Sequence, residues 1–203
     1  LKGHLDKLLP NTAKVKRVRH FAALPYKDVG KFVKDLRSRT GYSALGLEFL
    51  ILTAARTGEV IGAKWNEIDF EKAVWVIPAE RMKAGSEHRV PLCERAIEIL
   101  RSITSSRHPD DYIFTGWKKN TSLSNNAFLA LLKKMERSDI TTHGFRSCFR
   151  DWAAEEAYQF SNETIELALA HKITNKVEAA YRRGDQLERR RDLMSEWGKF
   201  IER

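Results

Sequence analysis

Five cationic or imidazole side chains and one phenol are spaced so that folding can gather them on one anion: Arg56, Lys83, His143, Arg146, His171 and Tyr181. A phosphate suits them. Guanidiniums offer paired donors to its oxygens, an ammonium or imidazole can pass a proton to a departing oxygen, and a phenol among cations is a competent nucleophile. No run of acidic metal ligands accompanies them. The combination points to phosphodiester chemistry done by a tyrosine and positive side chains, with no divalent cation and no cofactor.

Each residue also has a plainer reading. His143 and Arg146 fall on one face of a helix expected over 143–157, while Phe145, Phe149 and Trp152 point elsewhere, toward the core. The pair therefore faces a cleft or simply solvent. Arg56 follows an almost wholly apolar stretch, in Leu52-Thr-Ala-Ala-Arg-Thr-Gly-Glu59, where an always-charged group is costly without a partner. Glu59 at i+3 supplies one, either as an ordinary ion pair or as the support that holds the arginine for a phosphate. Lys83, in the turn Arg81–Gly85, either keeps that turn soluble or reaches a leaving oxygen. His171 lies just past Leu167-Ala-Leu-Ala. Tyr181 shares a helical face with Val177, as a packing residue would, yet Arg182 and Arg183 beside it favour a phenolate. Tyr26, Tyr42, Tyr112 and Tyr158 have no comparable neighbours.

These residues need elements to carry them. Val29, Phe32, Val33 and Leu36 recur at i, i+3, i+4, i+7 and predict a helix ending at Gly41. Ser43 is placed to cap the next one, whose Leu45, Phe49, Leu50 and Leu52 require burial on most sides. A short helix follows Thr57. Ala73–Pro78 and His88–Leu92 read as a β-hairpin, with a possible third strand near Ile68–Phe70, and Pro78 and Pro91 suggest edge positions. Helices resume with Ala96, Ile99, Leu100 and Ile103 on one face, then Leu123, Ala127, Leu131 and Met135 on another. Short helices are expected near 162–170 and 174–182, and a last one over Leu187–Ile201 with Leu193, Trp197, Phe200 and Ile201 as its stripe. The fold class is mainly α with one small antiparallel β-sheet.

The 36 Lys+Arg against 27 Asp+Glu give a net charge of +9, which favours a polyanionic partner through release of its counterions. Hydrophobic residues at 42% and charged ones at 31% fit a globular chain rather than a disordered one. No apolar run approaches the roughly 18 residues of a membrane span. Cys93 and Cys148 form no metal-binding or CxxC spacing, so a reduced, cytoplasmic setting is expected. The chain opens at Leu1 and leads in through a basic stretch, Lys14–His20, as an excised piece of a longer protein would.

The order of these motifs carries more than any one of them. ARTGE around Arg56, a lysine in a β-hairpin, HGFR over 143–146, LAH ending at His171 and AAYRR around Tyr181 resemble the tyrosine recombinases, or phage integrases. The likeness covers roughly residues 22–203. It extends into Gly62-Ala-Lys-Trp-Asn-Glu-Ile-Asp69 and Ala179–Asp185, wording similar to integrases of prophages, satellite phages and genomic islands. The resemblance implies that residues 22–203 form the recombinase catalytic domain and residues 1–21 a basic connector from a missing core-binding domain. It implies Tyr181 as nucleophile, forming a 3′-phosphotyrosyl bond. Arg56 and Arg146 would clamp the phosphate, Lys83 would act as acid, His143 and His171 as phosphate contacts, and Glu59 as support for Arg56. Its implied partners are double-stranded DNA attachment sites, a homotetramer on DNA and accessory DNA-bending proteins, at the bacterial nucleoid. Two alternatives stand beside it: a type IB topoisomerase, which uses a similar residue set, and a non-catalytic basic DNA-binding module. A metal-dependent transposase is more distant, since the acidic residues form no evident trio.

Overall fold

The computed structural model describes residues 22–103, 108–118, 121–171 and 184–203. The expected connector over 1–21 and the expected helix over 174–182, with Tyr181, lie outside the described residues.

Helix α1 (Val29–Leu36) buries Val29, Phe32, Val33 and Leu36, the stripe its periodicity predicts. Helix α2 (Tyr42–Thr53) has no solvent face of consequence: Leu47, Phe49, Leu50, Ile51 and Leu52 are all buried, so it forms the central shaft of the core. It does not start as expected. Gly41, with φ 93°, is the N-cap, and Ser43 sits inside the first turn. The reversal after α1 needs a left-handed backbone that only glycine adopts cheaply, and this moves the helix start forward. The far end of α2 closes at Ala54, itself left-handed with φ 49°, and the short helix α3 (Thr57–Ile61) follows at once.

Strands β1 (Ile68–Asp69), β2 (Val74–Ile77) and β3 (His88–Pro91) form an antiparallel sheet in that order, with Trp75 opposite Val90 and Ile77 opposite His88. Pro91 lies on edge strand β3. Pro78 does not mark an edge: it stands just past the end of the central strand, where no ladder hydrogen bond is demanded of it. The sheet docks through Trp75, fully buried with its ring 5.4 Å from that of Phe49.

Helix α4 (Glu94–Ser102) buries Ala96, Ile99 and Leu100, with Ile103 just beyond. Helix α5 (Ala127–Lys134) buries Phe128 and Leu132 rather than Ala127 and Leu131, which are half-buried. Leu123, in the preceding loop, and Met135 are buried as expected; between them the fully buried positions are shifted by one residue, with Ala127 and Leu131 packed at the core's margin. Helix α6 (Gly144–Glu156) buries Phe145, Phe149 and Trp152. Helix α7 (Asn162–Ala168) is capped by Ser161, whose Oγ accepts from the Thr164 N–H at 3.2 Å. Helix α8 (Leu187–Ile201) packs on its own domain, against α1, α2, α4, α7 and β3. Trp197 is its anchor: its Nε1 donates to the Ile51 carbonyl at 2.8 Å, and its ring lies 5.0 Å from Trp152 and 5.6 Å from Phe149.

Candidate active site

The ends of α2, α3, α6 and α7 meet at one place. Arg56 is the N-cap of α3, and Glu59 closes that turn twice. One carboxylate oxygen accepts from the Arg56 backbone N–H at 2.8 Å; the other accepts from its Nη1 at 2.7 Å. Glu59 is buried, and its own carbonyl accepts from Arg81, which also pairs with Glu67 beside the Trp75 indole. The sheet thereby braces the loop that carries Arg56.

Arg146 is 5% exposed, whereas His143, three residues earlier, is exposed. Of the two expected readings, cleft or solvent, burial excludes plain solvent exposure for Arg146. Its guanidinium spans the gap between two chain ends, with Nη1 donating to the Ala54 carbonyl and Nη2 to the Leu169 carbonyl at 2.6 Å. Two strained or terminal carbonyls, one at the left-handed end of α2 and one past the C-terminus of α7, are thus satisfied by a single side chain. Arg56 Nη2 approaches the carbonyls of Leu169 and Ala170 at 3.5 and 3.4 Å, the outer limit of a hydrogen bond. The two arginines lie close together, with Glu59 and Glu166 as the nearby offsetting carboxylates. Burial first, and the Arg56 charge second, pull the Arg146 guanidinium down to about 10.

His171 joins the same cluster. Its Nε2 lies 3.1 Å from Arg146 Nη2, and its Nδ1 lies 2.6 Å from Glu166, whose other oxygen accepts from Arg150 at 2.8 Å. His143 sits at the mouth of α6. Partial burial first, then the charges of Arg146 and Arg56, lower its imidazole below the ordinary value, so it stays neutral near pH 7. Thr57 Oγ1 donates to Thr142 Oγ1 at 3.0 Å and ties the residue after Arg56 to the residue before His143. Lys83 stands exposed on the β2–β3 connection, outside this hydrogen-bonded cluster. Of the six residues singled out for chemistry, four are therefore gathered, one stands apart, and Tyr181 lies outside the described residues.

Such a cluster of fixed cations held by carbonyls is chemically suited to an anion. The phage integrase family model matches residues 24–188. The chain belongs to that family. It is 37% identical to prophage integrase IntA of Escherichia coli (strain K12) over 153 residues, 74% of this chain and 37% of that protein. It is 32% identical to prophage integrase IntZ of the same strain, across 96% of this chain and 48% of the relative. The integrase of Enterobacteria phage P4 is 30% identical, across 92% and 46%. The chain thus spans half or less of the length of these relatives. In fold it is similar to the integrase from mycobacterium phage Brujita, with a TM-score of 0.63, 15% identity and 93% of this chain covered against 61% of that one.

Several residues around this cluster carried no sequence signal of their own. Glu166 and Arg150 look like routine helix-surface charges until α6 and α7 are placed side by side. His88, at the start of β3, reads as a strand residue. In the fold its ring meets the Ala168 backbone, and burial, with the Arg190 charge next, drives it down to about 4. Among the described tyrosines, Tyr26 is poorly suited to be a nucleophile. Tyr26 donates to Glu155 at 2.8 Å and also to Glu156, and burial together with these carboxylates pushes its phenol up rather than down.

Proposed function

We propose that this chain is the strand-cleaving and rejoining part of a site-specific tyrosine recombinase that inserts and excises a phage-type element. The observation that carries the reading is the meeting of Arg56 and Arg146 at the Leu169–Ala170 carbonyls, with His171 against Arg146 and His143 in their field. A scissile phosphate placed there would accept from both guanidiniums and replace the long carbonyl contacts of Arg56 with ionic ones.

In this mechanism the Tyr181 oxygen attacks phosphorus and the 5′-oxygen leaves, taking a proton from Lys83. The 3′-phosphotyrosyl bond conserves the ester energy, so a second strand's 5′-hydroxyl reverses the step without a nucleotide triphosphate. Each preorganised arginine donor supplies on the order of 3–4 kcal/mol to the transition state. His143, neutral near pH 7, is suited to receive the phenol proton. Attachment-site DNA is the proposed substrate and a tetramer on DNA the proposed assembly, with residues 22–203 as the catalytic domain and 1–21 as connector.

The test is a nicked suicide duplex bearing the attachment site, offered to the protein with EDTA present. The expected product is a covalent protein–DNA adduct that Tyr181→Phe abolishes. A protein that binds the site and yields no adduct overturns the reading.

A further inference from the structure

Glu166 has no place in the mechanism above, yet its carboxylate is fully engaged. One oxygen takes the Arg150 Nε–H at 2.8 Å and the other meets His171 Nδ1 at 2.6 Å. The direction of the second contact follows from its neighbour. Arg146 Nη2 can only donate, so His171 Nε2, 3.1 Å away, must accept. The ring proton then sits on Nδ1 and is donated to Glu166. In this tautomer His171 presents a lone pair, not a proton, toward the arginines, and a phosphate oxygen arriving there would be repelled.

We propose that Glu166 is the positioning residue of His171, and that an anion bound at the two arginines loads one solvent proton onto His171 Nε2. The anion draws Arg146 Nη2 to its own oxygens and frees Nε2. A proton taken from solvent then turns Nε2 into a donor to the anion, while Glu166 balances the new imidazolium from the opposite side. The charged and titratable groups around the ring act in both directions. Arg146 and Arg150 from α6, and Arg56 from α3, oppose protonation; Glu166 from α7 and the bound anion favour it, and His143 at the mouth of α6, neutral near pH 7, adds no charge. Glu166 itself remains a carboxylate, since His171 and Arg150 outweigh its burial and hold it below the usual range. The inference rests on the proposed anion site but not on Tyr181 or on cleavage.

The test is nitrogen-15 NMR of histidine-labelled 203-residue chain, titrated with inorganic sulfate, which stays dianionic across the neutral range. The free chain should show His171 as the Nδ1–H tautomer near pH 7, and sulfate should convert it to the doubly protonated ring. Glu166→Gln keeps an oxygen to accept the Nδ1 proton but carries no charge. With unchanged thermal stability it should need at least about a tenfold higher proton concentration for the same conversion. An Nε2–H tautomer in the free chain, a ring that stays neutral in saturating sulfate, or a Gln variant that titrates like the parent each overturns the proposal. Absence of a DNA adduct in the suicide-duplex assay would instead sink the recombinase reading and leave these spectra unaffected.

Discussion

Arg56 and Arg146 aim at the same acceptor: Nη2 of each approaches the Leu169 carbonyl, at 3.5 and 2.6 Å. The shorter contact belongs to the more buried side chain. Arg146 is therefore a structural rivet between α2 and α7 as well as the proposed anion donor, while Arg56, 26% exposed at its side chain, is held chiefly by Glu59.

Arg146→Lys should separate these roles. A lysine is a point charge without the planar fork, so it cannot serve the Ala54 carbonyl, the Leu169 carbonyl and a phosphate together. The rate of adduct formation should fall by about 10²–10³, and an orphaned buried carbonyl should cost about 1–3 kcal/mol in urea unfolding. Arg56→Lys should show a similar rate loss with the smaller stability loss. If Arg56→Lys is the more destabilising of the two, the rivet role is wrong.

Gly144, within the HGFR motif, is explained by the chain that crosses it. A Cβ there would lie 2.5 Å from the Ala22 carbonyl oxygen and 2.8 Å from Ala23 Cα, both backbone. Gly144→Ala should push the mouth of α6 away from that segment and displace His143 and Arg146 with it. We expect a loss of about 1–3 kcal/mol by thermal or urea unfolding, together with weaker sulfate binding. An alanine variant with parental stability and binding would contradict the close approach.

His88 makes stability pH-dependent in a window above that of the carboxylates. Its folded value, about 4, lies below the ordinary 6.5 of an exposed histidine. The stabilisation is complete above pH 6.5. As pH falls below it the unfolded chain binds a proton that the folded chain refuses, so stability declines until the folded ring also titrates near 4. The loss over that window should be about 2–3 kcal/mol. His88→Gln should flatten the unfolding free energy between pH 6.5 and 4.5, and an unchanged slope would assign the effect elsewhere.

Asp185 joins two arginines of very different exposure. Arg89 meets it through two hydrogen bonds, at 2.9 and 2.6 Å, from a half-exposed position; Arg190, 1% exposed, donates to the same carboxylate at 2.6 Å. Burial raises the Asp185 carboxyl, but the two arginines outweigh it and hold it below the usual range. Asp185→Asn strands the buried Arg190 charge and should cost about 2–3 kcal/mol, while Arg89→Ala should cost under about 1 kcal/mol. Denaturant titrations of both variants give the order, and a reversed order would refute this assignment.

The sequence by itself determined the family and most of the framework. The motif order ARTGE, lysine hairpin, HGFR, LAH and AAYRR was legible because each motif lies at an element end, where the chemistry-bearing residue follows a recognisable apolar run. Val29–Leu36, the hairpin and Leu187–Ile201 were legible because burial repeats with the period of the element. Tertiary structure alone decided what happens between elements. That Gly41 rather than Ser43 opens α2 depends on where α1 hands over the chain, and that Phe128 and Leu132 rather than Ala127 and Leu131 are buried depends on which face of α5 meets α2. The burial of Arg146, the pairing of Arg150 with Glu166 and the crossing of Ala22 over Gly144 join residues 16 to 122 positions apart on separate elements. Local periodicity carries no information about such pairs, because their energy exists only once separate helices are packed.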